Sequence, residues 1–442
     1  MVWKFRPANS AEMLVGRESH LMNELAREQR TLRKVAWRLV PFICILYLFN
    51  ILDRSNLGFA RLRMQDDLGL TEAMFNLGYG IFYLGYLAFE VPSNLLLHRF
   101  GARKWIARIM ISWGLISSCT MFVTDQWTFY GLRILLGVAE AGFFPGIILY
   151  LSYWFPEQQR AKMTAFFMVA IGLSSVFGNP VSGAIMQYLD TVSGLHGWQW
   201  LFLLEGLPSV VLGFVVLAYL TDYPRDAAWL STEEREWLVD RMQREEQQRQ
   251  QRHNADRLGA ILQWRVWLLI AIYFCVAVGA NAGGAYFPKL IKAQFTTAST
   301  FQIGLLSALP PLCSVLGMTL FGISSDRRNE RKGHLATAAV IAAIGWSLTA
   351  WAPSPVVAFA GLCIAQTGMM SMLPVFWTLP TVFLTGAAAA GGIALINSVG
   401  NIGGFLGANI LGSFGLWSMA GILLLGAILV IGVPNDSAEK EA

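Results

Sequence analysis

Charged residues are scarce in this chain, in which Asp, Glu, Lys and Arg make up 14% of 442 residues. Soluble globular domains usually carry about 25%. Hydrophobic residues reach 55%, and they are gathered into long runs. A run of roughly 20 apolar residues lets one helix cross the hydrocarbon core of a bilayer. The composition therefore excludes an ordinary soluble domain and indicates a protein embedded in lipid.

Motifs that would mark an enzyme are also missing. The five cysteines all lie in apolar runs, without the spacing of a metal site or of a disulfide framework. We find no nucleophile elbow, phosphate-binding loop or dinucleotide fingerprint. The sequence therefore predicts no catalysis, no cofactor and no metal ion, and it argues against an ATP-driven pump within this chain.

Apolar runs of helical length recur twelve times along the chain. Only α-helices fit them, because lipid offers no partner to unpaired backbone groups and barrel strands would alternate polar and apolar residues. We therefore predict an all-α integral membrane protein with twelve transmembrane helices. Their predicted bounds are 39–60, 72–97, 104–124, 127–150, 162–188, 199–221, 264–290, 301–324, 333–352, 355–383, 390–411 and 416–433.

Basic residues are unevenly distributed between the two sides of these spans. With an even number of spans both termini share one side, and that side holds 27 of the 33 Lys and Arg residues. Excess Lys and Arg marks cytoplasmic loops, so we expect both termini in the cytoplasm and the spans in the cell (inner or plasma) membrane. The net charge of +5 is thus an orientation signal, and no nucleic-acid partner is expected.

A polar stretch, 222–263, divides the chain into six spans plus six. Within it, Ser231–Arg257 is rich in Glu, Gln and Arg, and Ser231 followed by Glu234 indicates a capping box. We interpret it as a solvated linker helix, with a partner-binding role as the alternative. The predicted domains are a cytoplasmic leader 1–38, an N-terminal six-helix bundle 39–221, the linker 222–263, a C-terminal six-helix bundle 264–433 and a cytoplasmic tail 434–442.

Several motifs carry a resemblance to a known family. They include Leu52-Asp53-Arg54-Ser55-Asn56, Val91-Pro92-Ser93-Asn94, Gly101-Ala102-Arg103-Lys104, the span-four segment from Arg133 to Gly146, Gly197-Trp198-Gln199-Trp200 and Asn397-Ser398-Val399-Gly400-Asn401. Over about residues 35–433 the chain resembles the major facilitator superfamily and, within it, the anion:cation symporter family, close to permeases for 4-hydroxyphenylacetate, tartrate and L-rhamnonate. The resemblance implies two pseudo-symmetric six-helix bundles that move a small organic anion together with protons. One departure is the short connection 411–416, which requires a tight turn or a displaced last span.

Four charged residues within the predicted spans form two adjacent sets: Asp53 and Arg54 in span one, and Arg133 and Glu140 in span four. Intramembrane charges are costly, so they face the bundle interior and mark substrate or proton paths. We predict that Glu140 and Asp53 couple protons and that Arg54 and Arg133 bind a carboxylate. A proton on the carboxylate would release its arginine, and proton and substrate would then favour each other's binding. The alternative is two permanent ion pairs that hold the helices.

Neutral polar and aromatic residues complete the predicted substrate site. Tyr79 resembles the family's binding tyrosine by position, and Asn397 is the preferred ligand for substrate hydroxyls or carboxylate. Gln366, Trp377 and Asn401 are further candidates. The alternative for each is helix packing or an interhelical hydrogen bond.

A charged turn recurs after spans two and eight. The spacing of Gly322 and Asp326 resembles a superfamily motif and implies a cytoplasmic gate. The predicted gate residues are Gly322, Asp326, Arg327, Arg328, Arg99 and Arg103. The alternative is a plain charged loop that only sets orientation.

These observations predict a proton-coupled symporter that imports a small organic carboxylate by alternating access, and we expect it to be a monomer. The acid could be a tartrate-like sugar acid or an aromatic acid such as 4-hydroxyphenylacetate. Two alternatives stay open: an exporter or antiporter of the same fold, and a membrane sensor that binds the acid without moving it.

Overall fold

The computed structural model describes residues 10–252, 264–328, 330–380 and 386–433. Fourteen α-helices and three short 3-10 turns make up the regular structure of these residues. Nine helical segments among them are long and apolar enough to cross a membrane. The helices are α1 Ser10–Asp67, α2 Glu72–Phe100, α3 Ala102–Cys119, α4 Gln126–Glu140, α5 Phe143–Trp154, α6 Glu157–Tyr188, α7 Gly197–Tyr219, α8 Thr232–Arg252, α9 Trp264–Gln294, α10 Thr300–Arg328, α11 Lys332–Trp351, α12 Pro355–Phe376, α13 Gly386–Phe414 and α14 Leu416–Ile431.

Each half of the chain repeats one packing pattern. In the first half α1 packs on α6, α2 on α4 and α3 on α7; in the second half α9 packs on α13, α10 on α12 and α11 on α14. When α4 and α5 are counted together as span four, each pair of the first half corresponds to the pair at the same positions in the second half. The twelve spans therefore form two pseudo-symmetric six-helix bundles, as the sequence predicted.

Among the described residues, the two bundles pack most extensively through three helix pairs: α1 with α9, α2 with α13, and α6 with α10. Small residues allow these helices to approach closely, as is common in membrane proteins. A Cβ added to Gly58 would lie 2.7 Å from the carbonyl oxygen of Gly284, and one added to Gly304 would lie 2.6 Å from that of Asn179. The backbones of the two bundles therefore approach each other closely at these glycines, and a larger side chain at either position would collide with the opposite helix.

Span four, expected as one helix, is broken directly after Glu140. Gly142 has φ +83°, in the left-handed region that favours glycine, and a Cβ there would lie 2.4 Å from Ser93 Oγ. Pro145 has no N–H to donate to the carbonyl of Ala141, four residues earlier. The break leaves Glu140 at the end of α4, and broken helices beside a central site are a feature of transporters.

Other boundaries differ more modestly. Helix α1 begins well before the predicted span, at Ser10, and α12 ends at Phe376 rather than near 383. Residues 381–385 and the tail 434–442 lie outside the described residues. The short connection after α13 is a single-residue turn at Gly415, with φ +74°, so a tight turn replaces the longer loop.

The linker helix α8 begins with the predicted capping box. Glu234 N donates to Ser231 Oγ at 3.2 Å, and Ser231 N donates to Glu234 Oε2 at 2.9 Å. Lys34 Nζ lies 2.7 Å from the same carboxylate, and this hydrogen bond is the main reason why the pKa of Glu234 is lowered. The contact ties the linker to α1.

Candidate functional site

A buried ion pair joins the first and fourth spans. Arg54 Nε donates to Glu140 Oε1, and Asn50 Nδ2 donates to the same oxygen at 2.7 Å. The Glu140 side chain is 1% exposed, whereas 29% of the Arg54 side chain is exposed. The guanidinium also lies 5.0 Å from the ring centre of Tyr86. The arginine is therefore the member of the pair that a ligand can reach.

Arg133 lies next to this pair but is held differently. Its Nε donates to the carbonyl of Gly78 at 3.2 Å, and its Nη2 is 3.5 Å from the carbonyl of Tyr79. The Phe82 ring separates the two arginines, with its centre 4.8 Å from the Arg133 guanidinium carbon and 5.4 Å from that of Arg54. Within the described part of the chain no carboxylate lies within 4 Å of Arg133. A buried cation with only neutral partners attracts an anion.

Asp53 is separated from this cluster, although it precedes Arg54 in the chain. Successive helical residues point about 100° apart. Asp53 faces α3 and α7, where it accepts from Trp113 Nε1 at 2.5 Å, Ser117 Oγ at 2.7 Å and Ser209 Oγ at 3.2 Å. The structure thus brings Arg54, Arg133 and Glu140 together, but it does not place Asp53 beside an arginine as the sequence suggested.

A further carboxylate, Glu205, lies near Asp53 inside the first bundle, and the sequence analysis did not propose it for the site. Glu205 Oε1 accepts from Ser182 Oγ at 2.6 Å. Its Oε2 and the Oδ1 of the neighbouring Asn56 are both buried and have no hydrogen-bond partner among the described residues. Both atoms are acceptors, and each lacks a donor among the described residues.

Two of the three tyrosines of span two, Tyr79 and Tyr83, lie against the second bundle. Tyr83 Oη donates to Asn281 Oδ1 of α9. The Tyr79 hydroxyl lies 3.2 Å from where a Cβ on Gly284 would stand. Tyr79 is thus buried between α2 and α9, with its ring centre 6.2 Å from that of Tyr83. Its predicted role as a substrate ligand stays a prediction.

Glu90 of α2 makes the polar contact with α13 that the sequence analysis missed. Asn397 Nδ2 donates to Glu90 Oε1 at 3.0 Å, and Asn401 Nδ2 donates to Oε2 at 3.4 Å. Glu90 is 6% exposed. It is an ionisable residue within a span, as Arg54 and Arg133 are, so the same criterion could have found it.

Trp377 and Gln366 occupy different places in the second bundle. Trp377 lies in the turn after α12, with its ring 4.9 Å from that of Tyr273. Gln366 faces α9, with its Oε1 3.4 Å from the position of a Cβ on Gly283 and without a partner among the described residues. Neither contacts the two arginines in the part of the chain that the structure describes.

The predicted gate residues are not joined across the bundles. Asp326 pairs with Arg331 of the following turn at 2.5 Å, and Arg103 lies 3.8 Å from Asp222 of its own bundle. Arg327, Arg328 and Arg99 are exposed, and a Cβ on Gly322 would meet no atom within 4 Å. Between these two groups the described residues form no hydrogen bond or ion pair.

The opposite end of the molecule is closed by a network centred on Glu72. Its carboxylate lies 3.1 Å from Arg61 Nη2 and 2.6 Å from Lys289 Nζ, and it accepts from Tyr286 Oη at 2.9 Å. Asn76 Nδ2 donates to the same tyrosine oxygen at 2.8 Å. Because Lys289 and Tyr286 belong to α9, the network joins the bundles at the end predicted to be non-cytoplasmic.

Comparisons with known proteins agree with this architecture. A protein named "Putative tartrate transporter" from Agrobacterium vitis is 47% identical over 93% of this chain and 92% of its own length. A "Quinolone resistance transporter" from Acinetobacter baumannii is 40% identical over 91% of this chain and 94% of its own. The crystal structure of a D-xylose-proton symporter, 17% identical, has the same fold with a TM-score of 0.72 over 91% of this chain and 98% of that one. The family model of the Major Facilitator Superfamily matches residues 43–408, so this chain is a multi-pass membrane transporter that belongs to that superfamily.

Proposed function

We propose that this transporter is a proton-coupled symporter that imports a small organic carboxylate by alternating access. The observation that carries the proposal is the arrangement of two arginines, one buried and one partly exposed, with one carboxylate between α1 and α4. Arg54 is paired with Glu140, whereas Arg133 has only carbonyl partners among the described residues. These three groups sum to one positive charge, which the nearby Glu90 carboxylate balances when it is ionised, so an incoming anion is favoured once a carboxylate takes up a proton.

Proton coupling follows from the pairing of Arg54. While Glu140 is ionised it occupies the arginine, and a proton on Glu140 removes that competition. The freed guanidinium can then bind a substrate carboxylate in the two-pronged geometry that arginine favours. Proton binding and substrate binding thereby strengthen each other by the same factor. Asp53 is held by neutral donors in the first bundle, and we propose that it supports the position of Arg54 or takes part in proton transfer.

The tartrate transporter among the relatives supports an organic acid as the substrate class. We further propose that the protein is a monomer in the cell membrane with both termini in the cytoplasm. Among the described residues the bundles are joined through Glu72 at the opposite end, and the gate residues form no hydrogen bond or ion pair between the bundles. This arrangement corresponds to a state that opens toward the cytoplasm.

Uptake of labelled tartrate and 4-hydroxyphenylacetate into proteoliposomes, with and without an imposed pH gradient, tests the proposal. We expect the inward proton gradient to drive accumulation of one of the acids. Glu140→Gln should bind and exchange the acid but not accumulate it, whereas the exposed linker variant Glu233→Gln serves as the matched control. Accumulation that ignores the gradient would reject coupling, and normal accumulation by Glu140→Gln would reject the assignment of the proton to Glu140.

A second candidate is export by proton antiport in the same fold, because one relative is named for quinolone resistance. Export and import differ in the direction of the acid relative to the proton. Everted and right-side-out vesicles separate the two, since an exporter accumulates substrate when the proton gradient points out of the vesicle.

A further inference from the structure

Glu90 occupies two side-chain amides of the second bundle, those of Asn397 and Asn401. Asn397 and Asn401 are one helical turn apart on α13, and each donates its side-chain N–H to a different oxygen of the Glu90 carboxylate, at 3.0 and 3.4 Å. A substrate carboxylate or a pair of hydroxyls would need the same two donors. The inference rests on the proposed function, because it assumes that an organic acid binds between the bundles.

Glu90 lies one helical turn after Tyr86 on α2, and the Arg54 guanidinium carbon is 5.0 Å from the ring centre of that tyrosine. Glu90 is therefore at the edge of the arginine cluster. Among the described residues the amides of α13 donate to its carboxylate. When both carboxylates are ionised, Glu90 and Glu140 balance the charge of Arg54 and Arg133. Binding of an anion then gives the site a net negative charge, unless Glu90 or Glu140 is neutralised by a proton or displaced from the site.

We propose that Glu90 is a resident competitor of the substrate, which must give up Asn397 and Asn401 before the oxygen-rich end of the acid can bind them. One end of the substrate lies at Arg54 and Arg133, and the other end replaces the Glu90 carboxylate at the two amides. Such a ligand carries oxygen atoms at both ends, as a hydroxylated dicarboxylate does. An aromatic monocarboxylate reaches the arginines but gains less from the amides.

The same contact links binding to movement of the bundles. Glu90 belongs to the first bundle and the two asparagines to the second, so releasing Glu90 breaks a polar bridge between α2 and α13. Substrate bound at the amides forms a new connection from the second bundle to the arginines of the first. Specificity then depends on displacing an internal group, which disfavours acids that cannot replace it.

Equilibrium binding to the purified full-length protein in detergent tests this inference, with tartrate and 4-hydroxyphenylacetate as probes at pH 7.5. Glu90→Gln is neutral and nearly isosteric, so we expect its Kd for tartrate to be about tenfold lower than that of the wild type. The gain for 4-hydroxyphenylacetate should be smaller. In an Asn397→Ala background the gain for tartrate should disappear, because the donor that Glu90 blocks is gone. Glu233→Gln is the control, and Glu90→Ala replaces Glu90→Gln if the latter does not fold.

Unchanged or weaker tartrate binding by Glu90→Gln would overturn the inference, since Glu90 would then be structural or a direct ligand. An equal gain for both acids would overturn the assigned substrate class. A different result would reject the proposed function without rejecting this inference. If the wild type binds tartrate but shows no gradient-driven uptake, symport is rejected while a tenfold gain in Glu90→Gln still supports the competitor. If the folded wild type binds neither acid, both are rejected.

Discussion

The Glu72 network at the end opposite the gate makes a specific prediction about the conformational equilibrium. Glu72 lies on α2, yet its carboxylate receives a lysine and a tyrosine hydroxyl from α9. In a state that opens at this end, α2 and α9 must separate, and these bonds must break. Glu72→Gln keeps the shape of the side chain but removes its charge. We therefore expect the variant to populate that open state more than the wild type does.

The magnitude follows from the exposure of the three ionic groups. Arg61 Nη2 belongs to a side chain that is 1% exposed, whereas the side chains of Lys289 and Glu72 are 37% and 43% exposed. Exposed ion pairs contribute about 0.2–1 kcal/mol, and hydrogen bonds to charged groups contribute about 1.5–3 kcal/mol. Arg61, Gln65 and Glu72 all belong to the first bundle, so the contacts of Arg61 with the other two do not depend on the separation of the bundles. Glu72→Gln should therefore destabilise the closed state relative to the open state by about 1–2 kcal/mol. This corresponds to a rise of roughly five- to thirty-fold in the ratio of open to closed molecules.

Pulsed electron-electron spin resonance can measure this shift. Spin labels at Asp66 and Thr296, two exposed positions flanking the network, report the distance between the bundles in a background without native cysteines. We expect Glu72→Gln to add a longer-distance population. Asp125→Asn is the matched control, because Asp125 caps α4 near the same end through the backbone N–H groups of Thr128 and Trp127 and has no hydrogen bond or ion pair with the described residues of the second bundle. An unchanged distance distribution in Glu72→Gln would refute a closing role for the network.

The fold was predictable from the sequence because its main determinants are local in the chain. Each span is an apolar run of sufficient length, and the charges of the loops follow a simple asymmetry. The break in span four was harder to predict from the sequence. Gly142 and Pro145 are both ordinary in membrane helices, and the left-handed turn depends on the close approach of Ser93 from α2. That contact is tertiary, so the local pattern of span four could not specify it.

The candidate site was predictable in part. Arg54, Arg133 and Glu140 share a region, as their place in apolar spans indicated. Asp53 does not, because one residue of helical rotation turns it toward the donors of α3 and α7. Which neighbour a buried charge meets depends on the rotation of each helix, which apolar runs specify only loosely. Glu90 could have been recognised as an ionisable residue within span two, but its partners could not, because they are amides more than 300 residues away that only the packing of the two halves brings to it.

Three further predictions concern the first bundle. Arg133→Lys should lower the uptake rate at least tenfold, because a lysine cannot span the carbonyls of Gly78 and Tyr79 in the same way, and initial-rate uptake measures this. Gly142→Ala should lower thermal stability by about 1–3 kcal/mol, since alanine is strained at φ +83° and would collide with Ser93, and a melting curve in detergent measures it. Glu205→Gln should keep both the melting temperature and gradient-driven uptake of the wild type.

The expectation for Glu205 follows from the two unpartnered acceptors, Glu205 Oε2 and Asn56 Oδ1. A proton held permanently on Glu205 supplies the missing donor, and the amide of Gln supplies one in the same place. Glu205→Leu is the contrasting variant, because it removes the acceptor of Ser182 Oγ and leaves a buried hydroxyl unpaired, at a cost of about 1–3 kcal/mol. If Glu205→Gln is as stable as the wild type but no longer accumulates substrate under a proton gradient, the proton on Glu205 is transported rather than resident. The proton-coupling site would then include Glu205 in the interior of the first bundle, and Asp53 would lie beside that site.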